Sequence, residues 1–145
     1  MKELKNWDNK TWLSSSTYIN YFISFLLKKK KLNKHSRILD IGCGRGKIFG
    51  SISRKFKLTN KPIGIDSVPH KDVDRSINFK NDDIFEFFKN NRNKFDLIMI
   101  KQTLHFFNIK KKLKLIETCK NSLKKNGVLI IFSLNTSDNE IPCFK

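Results

Sequence analysis

A chain of 145 residues with 39% hydrophobic and 12% aromatic side chains holds enough apolar material for one core, too little for two comfortable ones, and too much for a disordered chain despite 30% charge. The formal charge is +17, carried by 25 Lys against 5 Arg in a chain with 15 Asn, 17 Ile, 13 Phe and no Ala. Residues with A- and T-rich codons dominate, so the lysines read first as filling of a solvated surface. A nucleic-acid site, which favours Arg forks and stacked aromatics, stays open as the alternative.

The N-terminal MKELKNWDNKTW lacks the apolar stretch of a secretion signal. Ser14, Ser15 and Ser16 can cap a helix of about four turns, because Tyr18, Phe22, Phe25 and Leu26 recur on one helical face. The apolar run Tyr21–Leu27 inside it is far short of the roughly 20 residues that cross a bilayer. Ile38 to Ile41 reads as a strand ending at a glycine turn, and KIFGSISRKF then sets Ile48, Phe49, Ile52 and Phe56 on one side of a helix. Pro62 to Asp66 is a second strand and SINFK a third, with Asp82 and Asp83 favouring the start of the short helix in DDIFEFFKNN. Phe95 to Ile100 is a fourth strand, almost continuously apolar, as a parallel strand covered on both faces is. Ile109, Leu113, Ile116, Cys119 or Lys120, and Leu123 mark a helix that stops at Asn126 and Gly127, and Gly127 to Phe132 is the fifth strand. On this reading Lys28 to Lys31 close the first helix, Lys124 and Lys125 close the last, and Lys110 to Lys112 stand near a helix start, where the dipole disfavours them. Strands alternating with helices predict an α/β fold, a doubly wound and mostly parallel sheet of about five strands with helices on both faces. We expect one domain: an N-terminal helical segment over 1–35, a core over 36–133 and a tail over 134–145.

Ligands of such sheets bind beyond the carboxyl ends of the strands, which directs attention to Asp40, Ile41, Gly42, Cys43, Gly44, Arg45, Gly46. A dinucleotide fingerprint would place its third glycine where Lys47 stands, and Asp40, inside the strand, would repel a pyrophosphate and attract a cation. S-adenosylmethionine, with no phosphate, an ammonium and a sulfonium, suits these residues better.

ILDIGCGRG resembles motif I of the class I S-adenosylmethionine-dependent methyltransferases, and the resemblance extends over about residues 36–133. Asp66, 24 positions after Gly42, resembles the family's acid that holds both ribose hydroxyls; a carboxylate suits this because its two oxygens accept from two neighbouring O–H donors. Asp83 and Ile84 resemble the acid and apolar pair that contact adenine, FDLIMIKQTLHFF the fourth strand with its exit, and LKKNGVLII the turn into the fifth strand. The resemblance implies S-adenosylmethionine as cosubstrate, held by Asp40, Gly42, Cys43, Gly44, Asp66, Ser67, Asp83, Ile84 and Lys101. Taken singly, Asp66 also suits a helix N-cap and Asp83 a dipole-complementing residue, Asp96 reads as structural, and His105 as a packed or surface histidine.

Methyl transfer from a sulfonium needs alignment more than a dedicated base, so no catalytic residue is assigned. The three cysteines, Cys43, Cys119 and Cys143, show neither metal-ligand spacing nor a disulfide framework, and no metal is expected. Lys101, Gln102, Thr103, Leu104 is unlike the Asn/Asp-Pro-Pro-aromatic loop of amino-group methylases, and a Pro-Cys pair is absent there, which disfavours base methylation by either route. A small-molecule methyl acceptor is the leading expectation, beside a non-catalytic or truncated nucleoside-binding domain and an RNA-directed enzyme. Family members continue after the fifth strand with a helix and an antiparallel hairpin, whereas SLNTSDNEIPCFK remains here; we expect either a fragment or truncated product, or a partner or second copy that covers the fifth-strand edge. We expect a cytoplasmic protein with no membrane partner.

Overall fold

The computed structural model describes residues 16–133. Ser14, Ser15, the N-terminal stretch and the tail over 134–145 lie outside the described residues. In chain order the elements are α1 Ser16–Lys29, β1 Ile38–Ile41, α2 Lys47–Phe56, β2 Ile63–Asp66, β3 Asn78–Asn81, α3 Ile84–Asn90, β4 Phe95–Lys101, a 3-10 turn Leu104–Phe106, α4 Ile109–Asn121 and β5 Leu123–Phe132. All five strands are parallel, in the order β3-β2-β1-β4-β5.

Period-2 alternation along the strands divides the core. Ile38, Leu97, Met99 and Ile130 face α1 and α2 with Phe22, Ile23, Leu26, Ile48, Phe49 and Ile52. Leu39, Ile41, Ile98 and Ile100 face the opposite way, against Ile84, Phe87 and Phe88 of α3 and Leu115 and Cys119 of α4. β4 is an unbroken apolar run from Leu97 to Ile100, and β1 is apolar apart from Asp40, because both faces are covered. The expected doubly wound fold is the fold observed, and Tyr18, Phe22, Phe25 and Leu26 lie toward the core as their spacing requires.

The link between β2 and β3 holds no helix. It is fastened to α2 by Asp74, which is 7% exposed and accepts from Arg54 Nη1 at 2.7 Å and from the Ser76 N–H at 2.9 Å. Burial pushes this carboxyl up, but the Arg54 guanidinium and the Ser76 N–H outweigh it and hold it below its usual value.

Two expectations fail at the end of the fold. The helix expected to run to Asn126 stops at Asn121, where the Ser122 N–H reaches the Thr118 and Cys119 carbonyls and its hydroxyl donates to Thr118 O at 2.9 Å. Leu123 already pairs with Phe95, and the next pairing is Leu97 with Val128, so Lys124 to Gly127 bulge from the ladder. Lys124 and Lys125 therefore close no helix; Lys124 Nζ instead donates to Asp96 Oδ2 at 2.7 Å. Gly127 is needed for close approach, since a Cβ there would stand 2.7 Å from the Phe95 carbonyl oxygen. The buried face of α4 is also rotated from the expected one: Leu115 and Cys119 meet the sheet, while Ile109 and Leu113 are exposed at 70% and 61%. Apolar residues occupy two sides of this helix, and the Leu115–Cys119 side is the one that can reach the sheet once β5 starts at Leu123.

Asp96 is structural, as expected. Its Oδ2 accepts from the Arg37 N–H and from Lys124, both at 2.7 Å, and these donors lower its carboxyl against the upward push of burial. Gly127→Ala should cost about 1–3 kcal/mol, because a methyl group must be forced against a backbone carbonyl. Urea unfolding followed by circular dichroism measures this, with Gly50→Ala excluded as a control because it would crowd Asp74.

Candidate functional site

The strand order reverses between β1 and β4, and the chain diverges from their carboxyl ends in opposite directions. At this edge lies a cavity of about 390 Å³. The glycine turn forms its floor. The Gly42 and Cys43 N–H groups donate to Ile65 O at 2.8 and 3.1 Å, and the Gly44 N–H donates to Asp66 Oδ2 at 2.8 Å. Gly42 has φ +72°, and a Cβ there would overlap the Thr103 hydroxyl, so no other residue fits between β1 and the exit of β4.

The nine residues named for the donor all line this cavity. Asp40 sits in β1 at 3% exposure with Oδ1 unpartnered, and burial pushes its carboxyl up to about 7; the Lys101 ammonium pulls it down and the Asp66 carboxylate pushes it up. Lys101 ends β4, with Nζ 3.3 Å from the Tyr18 hydroxyl and above the Tyr18 and Phe22 rings at 5.6 and 5.9 Å from their centroids. Asp66 ends β2 and caps no helix. Besides the Gly44 N–H it accepts the Val68 N–H on Oδ1 at 2.9 Å, in a local turn, and Ser67 lies on that turn. Asp83 does cap α3, its Oδ1 accepting from the Phe85 and Glu86 N–H groups at 2.8 and 3.2 Å, while still bordering the cavity beside buried Ile84. Cys43 is buried, small enough for the turn, and packed toward Gly64.

Other lining residues were not read from the sequence as part of a site. Tyr18 comes from α1 across the sheet face, and His70 from the helix-free link; neither carries a motif. Gln102 adopts φ +53°, its N–H donates to Phe132 O at 2.9 Å, and its Oε1 is buried without a partner. A non-glycine residue in this region is strained, which marks the β4 exit as held in shape by its neighbours. His105 is exposed on the 3-10 turn, its ring tilted against that of Phe106 with centroids 4.0 Å apart, and absent from the cavity wall. Among the described residues no three His, Cys, Asp or Glu side chains gather to hold a metal ion, and no helix is long and apolar enough to cross a membrane.

The cavity thus offers a buried carboxylate and an ammonium for a zwitterion, a second carboxylate for a diol, and Ile84 with Phe107 for an apolar ring. A methyltransferase domain model matches residues 15–141. Among solved structures, the plantazolicin methyltransferase BpumL in complex with S-adenosylhomocysteine is 26% identical with a TM-score of 0.68, over 92% of this chain and 52% of that one. A SAM-dependent methyltransferase from Archaeoglobus fulgidus is 23% identical with a TM-score of 0.66, over 83% of this chain and 55% of that one. PKMT2 from Rickettsia typhi, in complex with S-adenosylhomocysteine, is 18% identical with a TM-score of 0.60, over 70% of this chain and 22% of that one. No curated protein matches the chain significantly. The chain spans about half the length of BpumL and less of PKMT2.

Burying Asp40 costs stability. A group held at about 7 when folded and 3.8 when unfolded loses its proton first in the unfolded chain, so folding weakens as pH rises from 3.8 to 7. Asp40→Asn should therefore stabilise the ligand-free protein by up to about 4 kcal/mol above pH 7, with the gain vanishing below pH 4. Thermal melts of both proteins at pH 4 and pH 8 measure the difference.

Proposed function

The chain belongs to the methyltransferase domain family, and from that membership we propose that it binds S-adenosylmethionine and serves methyl transfer to a small-molecule acceptor. The observation that carries the proposal is Asp40: a carboxylate buried in a strand, with one oxygen unpartnered, beside a cavity whose glycine turn has no room for a side chain at Gly42. A phosphate ligand does not fit that charge, whereas an ammonium satisfies it.

Each residue then has work of its own. Asp40 accepts the ammonium of the methionine end, and Lys101, held by Tyr18 and Phe22, faces its carboxylate. Asp66 accepts ribose hydroxyls, with Ser67 beside it on the turn, while Ile84 covers a face of the adenine and Asp83 stands at its edge. Gly42, Cys43 and Gly44 let the backbone approach the ligand closely. When bound, the sulfonium supplies an activated methyl group, which leaves with its bond electrons remaining on sulfur as a nucleophile attacks in line. The protein's part is alignment and exclusion of water, which a cavity walled by Tyr18, Phe106 and Phe107 supports.

The proposal places the nucleoside-binding core at 36–133, in a cytoplasmic protein. β5 has no partner on its outer edge among the described residues, and Ile131 is 38% exposed there, which supports a covering partner or second copy. Because the chain spans about half of BpumL, a second reading is a domain that binds the nucleoside without transferring the methyl group.

Titration calorimetry with S-adenosylhomocysteine should give measurable binding that Asp66→Ala weakens at least tenfold and Asp96→Ala leaves unchanged, as loss of charge-assisted bonds of ~1.5–3 kcal/mol requires. Binding of NAD in place of S-adenosylhomocysteine would overturn the assignment. Lys101→Met should weaken S-adenosylhomocysteine several-fold and leave 5′-methylthioadenosine, which lacks the amino-acid end, unaffected. Binding of S-adenosylhomocysteine at pH 6 should release a fraction of a proton, since an ammonium beside Asp40 favours its ionised form; calorimetry in two buffers of different ionisation enthalpy reads this.

A further inference from the structure

Asp66 is crowded in the ligand-free protein. Its Oδ2 accepts the Gly44 N–H at 2.8 Å and lies 3.4 Å from His70 Nε2, and its Oδ1 accepts the Val68 N–H at 2.9 Å. A carboxylate offers about four lone-pair directions. The two N–H groups take two of them and the imidazole stands against a third, which leaves one, on Oδ1. A vicinal diol brings two O–H donors and needs two.

The three neighbours of Asp66 differ in what it takes to move them. Two are backbone N–H groups, one in the glycine turn that is tied to Ile65 and one in a local turn on Asp66 itself. The third is a side chain at the longest of the three distances. His70 lines the same cavity, its side chain and that of Asp66 are each 16% exposed, and its ring meets Phe79 of β3 edge-on at 6.2 Å between centroids. Turning the imidazole away leaves both of those backbone donors on Asp66 in place. A hydroxyl bonded to a carboxylate sits at about 2.5–2.7 Å, a shorter and stronger contact than the one it replaces.

We infer that His70 is a built-in competitor of the ribose subsite: without ligand its imidazole occupies the direction on Asp66 Oδ2 that a ribose hydroxyl takes, and a nucleoside binds by displacing it. The inference rests on the reading of Asp66 as the ribose acceptor. Its consequence is a weaker hold on every nucleoside with a vicinal diol, donor and spent product alike, because each must surrender the His70 contact to gain its second bond. The same contact returns to Asp66 as the product leaves, so the carboxylate is never left with a stripped oxygen.

The probes are 5′-methylthioadenosine and its 2′,3′-dideoxy counterpart, neither of which touches the Asp40 end with an amino acid. In wild type the diol probe should shift the imidazole signals of His70 in the proton–nitrogen NMR spectrum, and the dideoxy probe should leave them in place. His70→Ala should bind the diol probe about three- to tenfold more tightly, the worth of one modest polar contact, with the dideoxy probe unchanged. His70→Gln, which restores an N–H donor, should return the diol affinity toward wild type. Equal or weaker diol binding by His70→Ala with an unchanged melting temperature overturns the inference, as do imidazole signals that ignore the diol probe. If wild type binds neither probe nor S-adenosylhomocysteine, the donor reading itself falls, and this inference with it.

Discussion

The cavity depends on one short set of hydrogen bonds: the glycine turn after β1 is fastened to the end of β2. Gly42 and Cys43 donate to the Ile65 carbonyl and Gly44 donates to the Asp66 carboxylate, so the turn cannot lift from the sheet without taking Asp66 with it. These bonds fix the height of the cavity floor and the direction of Asp66 together. They also explain why the turn must be glycine at its first position, because Thr103 from the β4 exit closes over the same backbone. Three strands thus meet at one point, and a change at any of them is felt at the other two.

The second constraint is electrostatic. Asp40 stands in the middle of a strand with every neighbour buried, a position where an apolar residue would stabilise the fold. Its carboxyl is driven up to about 7 by burial, and Lys101 offsets only part of that cost. Lys101 is itself kept in place by Tyr18 and Phe22, so the aromatic face of α1 takes part in setting the charge of a residue on the other side of the cavity. Stability is given up at Asp40, and recovered in two aromatic and aliphatic layers that bury Phe49, Leu97, Ile98 and Met99 completely.

Most of this was legible in the sequence where a residue's environment follows from its neighbours in the chain. The strands announced themselves because burial on both faces leaves no polar position in Leu97, Ile98, Met99 and Ile100, and the glycine turn because only glycine adopts that backbone beside a strand end. The nine residues expected to hold the donor line one cavity because strand ends in a parallel sheet share an edge. The boundary between α4 and β5 was not legible, since Leu123 continues the apolar spacing of a helix that Ser122 has already ended, and the bulge at Lys124 to Gly127 is fixed by pairing with Phe95. The places of Tyr18 and His70 at the cavity were not legible for a different reason: each reaches it through tertiary packing, Tyr18 from a helix face that reads only as core and His70 from a link with no pattern of its own. Asp83 shows both readings at once, capping α3 and bordering the cavity.

The strand order has a consequence for how the molecule comes together. β1 lies at the centre, and its partner β4 is paired through Ile38 with Leu97, which closes a loop of about 60 residues. The β1, β2 and β3 ladders span far shorter separations. During synthesis the first three strands emerge while one long side of β1 stays open until β4 is made, so the pairing that closes the longest loop is that of the β4–β5 half with β1. The cavity lies on that seam. Its floor belongs to the early half and its Lys101, Gln102 and Thr103 wall to the late one, so a site competent for ligand exists only after the last long-range contact has formed.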